Sequence, residues 1–177
     1  MTDIRERPAY SVAEAARYVK VPYATLRSWV SGREYRTATG TARFRPLIPA
    51  ASVAPVLLSF HNLIEAHVLR SLRTDHSVAL NAVREALNYA QAELGIERLL
   101  LRKDLLTSAG EVFLERYGEL VHLSRSGQLA MREVLEEHLR RVEWDPDRFP
   151  IRLYPFVSGA ATTDRPIAID PEIAFGR

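Results

Sequence analysis

The stretch YSVAEAARYVKVPYATLRSWV, residues 10–30, decides the fold of the amino-terminal part of the chain. Ser11 stands where a helix N-cap would lie and Glu14 follows three residues later, which is the pattern of a capping box. A second helix can begin at Pro22, because proline suits the first helical position. In that helix Trp29 and its apolar neighbours share one face, so polar side chains are left for the other. The stretch predicts two short helices joined by a tight turn, a helix-turn-helix.

The next stretch, residues 31–48, reads SGREYRTATGTARFRPLI and changes character at once. Threonines favour extended backbone, Arg43-Phe44-Arg45 alternates polar with apolar, and Gly40 can form a turn. The pattern predicts a β-hairpin with its tip near Gly40. A hairpin whose arginines serve only solubility is the alternative interpretation.

Residues 10–30 resemble the amino-terminal winged helix-turn-helix of MerR-like transcription factors. In those proteins a Thr-Leu-Arg run followed by an aromatic residue lies on the DNA-recognition helix, and the hairpin after it is the wing. The resemblance covers residues 8–94, with one departure. The family places Ser, Thr or Asn before the second helix, whereas this chain has Val21, so a cap worth about 1 kcal/mol is expected to be missing. The alternative interpretation is that this stretch is a structural helical hairpin that does not bind DNA.

The resemblance implies roles for individual side chains. Thr25 and Arg27 would face the major groove, Tyr23 and Ser28 would lie near phosphates, and the wing would grip the flanking backbone. The predicted DNA-binding residues are Tyr23, Thr25, Arg27, Ser28, Arg33, Tyr35, Arg36, Arg43 and Arg45.

Charge is distributed unevenly along the 177 residues, although the net charge is only +2. Residues 1–50 hold nine basic and four acidic side chains, whereas the rest holds 15 basic and 18 acidic. The basic excess coincides with the predicted DNA-binding segment, as an electrostatic footprint should. With no cysteine, disulfides and cysteine-based zinc sites are excluded and a cytoplasmic location is expected. No apolar run approaches 18 residues, so no membrane association is expected.

Two helices are predicted after the hairpin, from Val53 to Thr74 and from Val78 to Leu94, with Gly95 as the carboxyl-terminal stop. The first carries His61, Glu65 and His67, but their spacing fits no zinc motif. We interpret these three as ordinary interface or surface residues and expect neither a metal nor a cofactor.

The pattern of residues 97–157 predicts a small mixed α+β domain. The predicted fold class of the whole chain is therefore mainly α with an α+β second half. A row of carboxylates would form in a helix from Glu111, Glu115 and Glu119. In the predicted strand and turn these side chains simply point into solvent. No catalytic pair or nucleophile emerges, so the chain is not expected to be an enzyme. The predicted elements are strands within 98–106, 111–116, 119–124 and 150–156, a helix from Gln128 to Val142, and a loop from Trp144 to Phe149.

The last segment, residues 158–177, begins with a linker of small residues at 158–163. Residues 165–177 resemble the opening of another small helix-turn-helix domain, an uncharacterised family common in bacterial toxin–antitoxin operons. This resemblance predicts that the chain stops inside a truncated second domain, and a disordered natural tail is the alternative.

Taken together, these three parts resemble a VapB-type antitoxin. The resemblance implies a homodimer that binds operator DNA, represses its own operon and neutralises a VapC-type toxin, an RNase of the PIN-domain class. The toxin-binding segment is expected in or beyond residues 158–177. The alternative is a MerR-type transcriptional regulator whose second half binds a small effector. That effector pocket would be lined by Phe113, Tyr117, Trp144, Tyr154 and Phe156.

Overall fold

The computed structural model describes residues 3–72, 80–106, 108–120, 122, 124–156 and 167–173. Within them the chain forms α-helices and small antiparallel sheets, so the predicted mixture of helix and strand with an amino-terminal helix-turn-helix is confirmed. The helices are α1 (Val12–Tyr18), α2 (Tyr23–Ser31), α3 (Phe60–Ser71), α4 (Leu80–Leu94), α5 (Ser108–Leu120) and α6 (Arg125–Leu139). The strands are β1 (Tyr10–Ser11), β2 (Arg33–Thr37), β3 (Gly40–Phe44), β4 (Ser52–Val53), β5 (Val56–Leu58), β6 (Val142–Trp144) and β7 (Pro150–Leu153). Short 3-10 helices lie at Ile4–Glu6, Leu99–Leu101 and Lys103–Leu106.

The start of α1 is closed by the predicted capping box. The Ser11 hydroxyl oxygen accepts a hydrogen bond from the Glu14 backbone N–H at 3.2 Å, and the Glu14 carboxylate accepts one from the Ser11 N–H at 2.9 Å. Two backbone donors that the helix leaves unpaired are thereby satisfied.

The segment predicted as one helix from Val53 to Thr74 is divided, so that prediction is wrong at its beginning. β4 and β5 form a tight antiparallel pair with Val53 opposite Val56, and β1 adds to the other edge of β5 with Tyr10 opposite Leu58. The helix α3 begins only at Phe60, after the Ser59 N-cap. A short apolar run fits a strand as well as a helix, and periodicity alone does not separate them. Residues 73 and 74 lie outside the described residues.

Helix α3 lies at the centre of the structure, and every residue in it except Arg70 is buried. A helix that is covered all round needs neighbours on every side. α3 packs against α6, the 3-10 helices at Ile4–Glu6 and Leu99–Leu101, and the strands β5 and β7. The buried apolar side chains form one continuous cluster, whose first member in the sequence is Tyr10 and whose last is Ile169. The core therefore includes residues from both halves of the chain. The domain limits 8–94 and 97–157 stay a prediction.

The second half is more helical than predicted. The segment 98–106 contains the two 3-10 helices Leu99–Leu101 and Lys103–Leu106, and residues 108–120 form α5, so the strands expected there are wrong. Phe113, Leu114 and Tyr117 are buried on one face of α5, and this spacing suits a helix better than a strand. Glu111 and Glu119 therefore belong to a helical carboxylate row after all, and they form ion pairs with arginines, Arg132 at 2.7 Å and Arg116 at 3.0 Å respectively.

After α6 the chain forms a hairpin. α6 ends at Leu139, earlier than predicted, and Val142–Trp144 forms β6 rather than a helix end and a loop. β6 pairs with β7, and Leu153 of β7 forms a further antiparallel bridge with Ile169. Residues 167–173 therefore pack on this hairpin, whereas the predicted linker 158–163 lies outside the described residues. Among the helices that the structure describes, none is long and apolar enough to cross a membrane.

Candidate nucleic-acid interface

The turn between α1 and α2 explains why Val21 stands where a capping residue was expected. Pro22, not Val21, holds the N-cap position, and its ring cannot accept a capping hydrogen bond. Val21 is 4% exposed and Leu26, the fourth residue of α2, is fully buried. These are the two positions of a hydrophobic staple, which fixes the angle at which the chain enters a helix. The turn also uses Lys20 with a positive φ of 53°, a conformation that is unusual for a residue with a side chain.

Helix α2 has one buried and one open face. Leu26, Trp29 and Val30 are buried against α1 and the core, as predicted. Of the predicted site residues on this helix, Tyr23 and Arg27 are exposed, whereas Thr25 and Ser28 are partly covered.

The two exposed residues of α2 are in contact. An Arg27 Nη1–H donates a hydrogen bond to the Tyr23 hydroxyl oxygen at 3.1 Å, one helical turn away. A guanidinium carries five N–H donors, so this bond leaves the others available for a second partner. Tyr23 holds the guanidinium above the open face of the helix.

The hairpin β2–β3 is the predicted wing, with a two-residue turn before Gly40. Arg36 lies opposite Thr41, and Arg43 lies opposite Glu34. Because residues directly opposite each other share a face and side chains alternate along a strand, Arg36 and Arg43 lie on one face of the wing. Arg33 and Tyr35 lie on the other face, with Phe44. Four of the five predicted wing residues, all exposed, therefore divide between two surfaces, and the fifth, Arg45, follows the end of β3.

The base of the wing is joined to α2 by the backbone. The Leu47 and Ile48 N–H groups both donate to the Trp29 carbonyl oxygen, at 2.8 and 3.1 Å. Gly32, which links α2 to β2, has a φ of 72°, and a Cβ at this position would lie 2.3 Å from the Phe44 carbonyl oxygen. Only glycine fits there without strain. The base of the wing is thus held at a defined place next to the end of α2.

Two residues that control this geometry were not predicted as functional. Gly32 was noticed only as a turn residue, and its steric role depends on Phe44, twelve residues further on. Arg84 of α4 donates hydrogen bonds to carbonyl oxygens at the end of the wing. No local pattern identifies such an arginine, because its partners are distant in the sequence.

The polar side chains of α3 form an interior network rather than a surface. His61, Glu65 and His67 are all at most 5% exposed, so their interpretation as surface residues is wrong. The His61 Nδ1 lies 2.7 Å from the Glu6 carboxylate, and Arg98 joins Glu6 to Glu65 at 2.6 and 3.1 Å. Among the described residues no group of three or more His, Cys, Asp or Glu side chains is arranged to hold a metal ion.

The aromatic residues named for an effector pocket have different partners. Phe113 and Tyr117 stack on each other in the core, with ring centroids 6.2 Å apart. The Tyr154 hydroxyl donates to the Glu143 carboxylate at 2.9 Å, and the Phe156 ring lies 5.1 Å from the Lys20 ammonium nitrogen. Phe113 and Tyr117 therefore lie together in the core, whereas Tyr154 and Phe156 make their contacts elsewhere.

Comparisons with known proteins bear on the family of the chain and on its amino-terminal domain. Residues 8–87 match a family model described as "Putative DNA-binding HTH domain". The chain is 31% identical to the "Putative antitoxin VapB45" of Mycobacterium tuberculosis over 189 residues, which cover 96% of this chain and 75% of the relative. Its fold is similar to the crystal structure of Rv2018 from Mycobacterium tuberculosis, with a TM-score of 0.62 and 24% identity over 97% of this chain and 78% of that one. The chain therefore belongs to the VapB-type antitoxins and carries a DNA-binding helix-turn-helix domain in its amino-terminal half.

Proposed function

We propose that the chain is a homodimeric repressor of its own operon that reads operator DNA with α2 and the wing, in a MerR-like arrangement, and neutralises a VapC-type RNase of the PIN-domain class. The observation that carries the DNA-binding part is the Tyr23–Arg27 pair on the open face of α2, beside a hairpin rich in arginine that is fixed to the same helix. In this proposal α2 enters the major groove, and Arg27 contacts a base edge.

The remaining predicted residues have supporting roles in this proposal. Thr25 and Ser28 border the open face of α2, where they can contact the walls of the groove. The wing residues Arg33, Tyr35, Arg36, Arg43 and Arg45 contact phosphates, which fix the register of a protein on DNA and carry little sequence information. A dimer would place two copies of α2 in successive major grooves, about 34–36 Å apart. The operator is therefore expected to be a pseudo-palindrome.

The test of the recognition helix is Arg27→Ala. If Arg27 makes a bidentate base contact, the variant should lose about 1–3 kcal/mol of affinity for the operator and discriminate less against a changed base. Fluorescence anisotropy with the DNA upstream of the gene, and with an unrelated duplex of equal length, measures both effects. Arg132→Ala is the matched control, because Arg132 of α6 is paired with Glu111 and Glu136 instead. Operator binding by Arg27→Ala as tight as that of the parent would show that the recognition helix is misassigned.

For toxin binding we propose the segment after the hairpin β6–β7, within the predicted region 158–177. Ile169 is buried in its bridge to Leu153, whereas Ile167 and Ile173 are 51% and 66% exposed. Exposed apolar side chains on both sides of an anchored residue suit contact with a partner protein. The chemistry on RNA would belong to that partner.

Replacing both exposed isoleucines by aspartate, Ile167→Asp with Ile173→Asp, should abolish or strongly weaken capture of the toxin encoded beside this chain. Co-expression followed by affinity purification measures the capture. Leu129→Asp, at a residue of α6 that is 59% exposed, is the control and should retain the toxin. Equal capture by all three proteins would place the toxin contact elsewhere.

A further inference from the structure

Helix α4 reaches the base of the wing through one side chain. The Arg84 Nη2–H donates to the Arg45 carbonyl oxygen at 2.7 Å, and the Nη1–H donates to the Pro46 carbonyl oxygen at 3.1 Å. The guanidinium carbon lies 5.4 Å from the centroid of the Phe44 ring. One side chain therefore contacts three consecutive residues where β3 leaves the wing.

The chemistry of these contacts suits a clamp rather than a charge on the surface. Within the described residues, the Arg84 guanidinium meets carbonyl oxygens and an aromatic ring, not a carboxylate. The fork of a guanidinium is rigid, so two parallel hydrogen bonds fix the direction of the acceptors as well as their distance. Burial, followed by the nearby charge of Arg45, lowers the pKa of Arg84. The group is held in place although its surroundings do not favour its charge.

The wing has little else to fix its angle. All five residues of β2 are exposed, and a two-stranded hairpin is at best marginally stable by itself. On the side of α2 its base is held by the two hydrogen bonds to the Trp29 carbonyl, next to Gly32, where the direction of the chain can change. Arg84 holds the same base from the side of α4. If either attachment were lost, the wing could swing about the one that remains.

We propose that Arg84 is a positioning residue for DNA recognition, one that fixes the angle of the wing relative to α2. This inference rests on the proposed binding of DNA by α2 and the wing. Arg84 itself would not contact DNA: it would place Arg36 and Arg43 where the phosphates lie when α2 is in the groove.

The position of the wing can be measured without DNA. The chain has no cysteine, so Ala24→Cys on α2 and Thr39→Cys at the tip of the wing would give two unique sites for spin labels. In samples diluted with unlabelled chain, so that spin pairs within one protomer dominate, double electron–electron resonance should give one narrow distance distribution in the parent. The distribution should broaden or shift in Arg84→Met and change less in Arg84→Lys, because an ammonium group cannot reproduce the fork. It should stay unchanged in Arg132→Met.

DNA binding gives the second measurement. In Arg84→Met the slope of log operator affinity against log salt should fall by the equivalent of about two phosphate contacts. The loss of affinity between 50 and 200 mM salt should therefore be roughly tenfold smaller than in the parent. Arg84→Lys keeps the charge and should still show part of this loss. In an Arg36→Ala/Arg43→Ala background the further effect of Arg84→Met should disappear, because Arg84 acts through those residues.

The possible outcomes separate the two proposals. An unchanged distance distribution in Arg84→Met, or in Arg84→Lys should the first variant not fold, overturns the positioning role. Additive effects with the wing variant also overturn it, because they indicate a direct phosphate contact by Arg84. If the parent itself does not bind the operator, the proposed function fails, whereas the spin-label result still decides whether Arg84 holds the wing.

Discussion

Of the antiparallel hairpins in the described residues, the wing and the hairpin β6–β7 both carry arginines, but use them in opposite ways. In the wing, Arg33, Arg36 and Arg43 are exposed, and among the described residues no carboxylate forms an ion pair with them. In the hairpin β6–β7, Arg152 lies 3.3 Å from a Glu143 carboxylate oxygen and 2.7 Å from an Asp170 carboxylate oxygen.

This difference favours the wing as the hairpin that binds a polyanion. A guanidinium already paired with carboxylates has its charge compensated within the protein, whereas a solvated one can replace the counterions that surround DNA. The backbone follows the same division. The attachments of the wing to other described residues lie at its base, whereas β6–β7 buries Val142 and Leu153 and gains Ile169 along one edge. We infer that the wing is a binding surface and that the hairpin β6–β7 attaches residues 167–173 to the core.

The largest effect is expected from removing charge on the wing. Arg36→Ala/Arg43→Ala should weaken binding of operator and unrelated DNA alike, by roughly 10–100-fold near 0.1 M salt, because two phosphate contacts and their released counterions are lost. The slope of log affinity against log salt should fall by about two. The matched control is Arg132→Ala/Arg152→Ala, which removes the same charge outside the wing. If both double variants lose affinity equally, net charge decides the binding and the contrast between the hairpins has no functional meaning.

The wing and helix-turn-helix were predictable because their signals are local. Ser11 and Glu14 make a capping box within one turn, and the hairpin needs only alternating residues and a turn before Gly40. Each of these features lies within a few residues of its partner. Local pattern and final structure therefore agree.

The second half was predicted poorly, for the converse reason. The segment containing Phe113 and Tyr117 alternates in part like a strand, and its helical form is decided by packing of α5 against α4. Similarly, Val56–Leu58 forms the strand β5 because β1 and β4 offer partners on either side of it. The clamp by Arg84 involves contacts 38 and 39 residues away in sequence. Such partners cannot be inferred from one window of sequence.

An effect of intermediate size is expected from acid, which should act on the interior and not on the wing. His67 is buried between α3 and α6, with its Nε2 2.9 Å from the His138 carbonyl oxygen, and burial, followed by the nearby charge of His138, lowers the pKa of His67 to about 3. In the unfolded chain a histidine pKa is about 6.5, so between these values the unfolded state binds the extra proton. The free energy of unfolding should therefore fall as the pH drops below about 6.5, by at most about 1.4 kcal/mol per pH unit from this group.

Chemical denaturation at pH 7.5 and 5.5 measures this loss, and His67→Gln, which keeps a side-chain N–H donor, should reduce it. The pKa of His138 is lowered as well, mainly by burial, so part of the pH dependence should persist. If His67→Gln loses as much stability as the parent between the two pH values, His67 is not the group that links acid to unfolding.

The smallest effect is expected from breaking the attachment of residues 167–173 to the hairpin β6–β7. In Arg152→Ala, Asp170 loses the guanidinium that holds its carboxylate, but it still accepts a hydrogen bond from the Glu172 N–H at 2.9 Å. Because Arg152 is 41% exposed, water can replace part of the lost interaction, and calorimetry should show only a modest fall in the unfolding temperature. Hydrogen exchange at the Ile169 N–H, which donates to the Leu153 carbonyl oxygen at 2.8 Å, should become faster, with Arg152→Lys between the variant and the parent. Affinity for the operator should not change. A loss of DNA affinity in Arg152→Ala, with the exchange at Ile169 unaltered, would mean that the hairpin β6–β7 belongs to the DNA interface and that pairing with carboxylates does not distinguish structural from DNA-binding arginines in this chain.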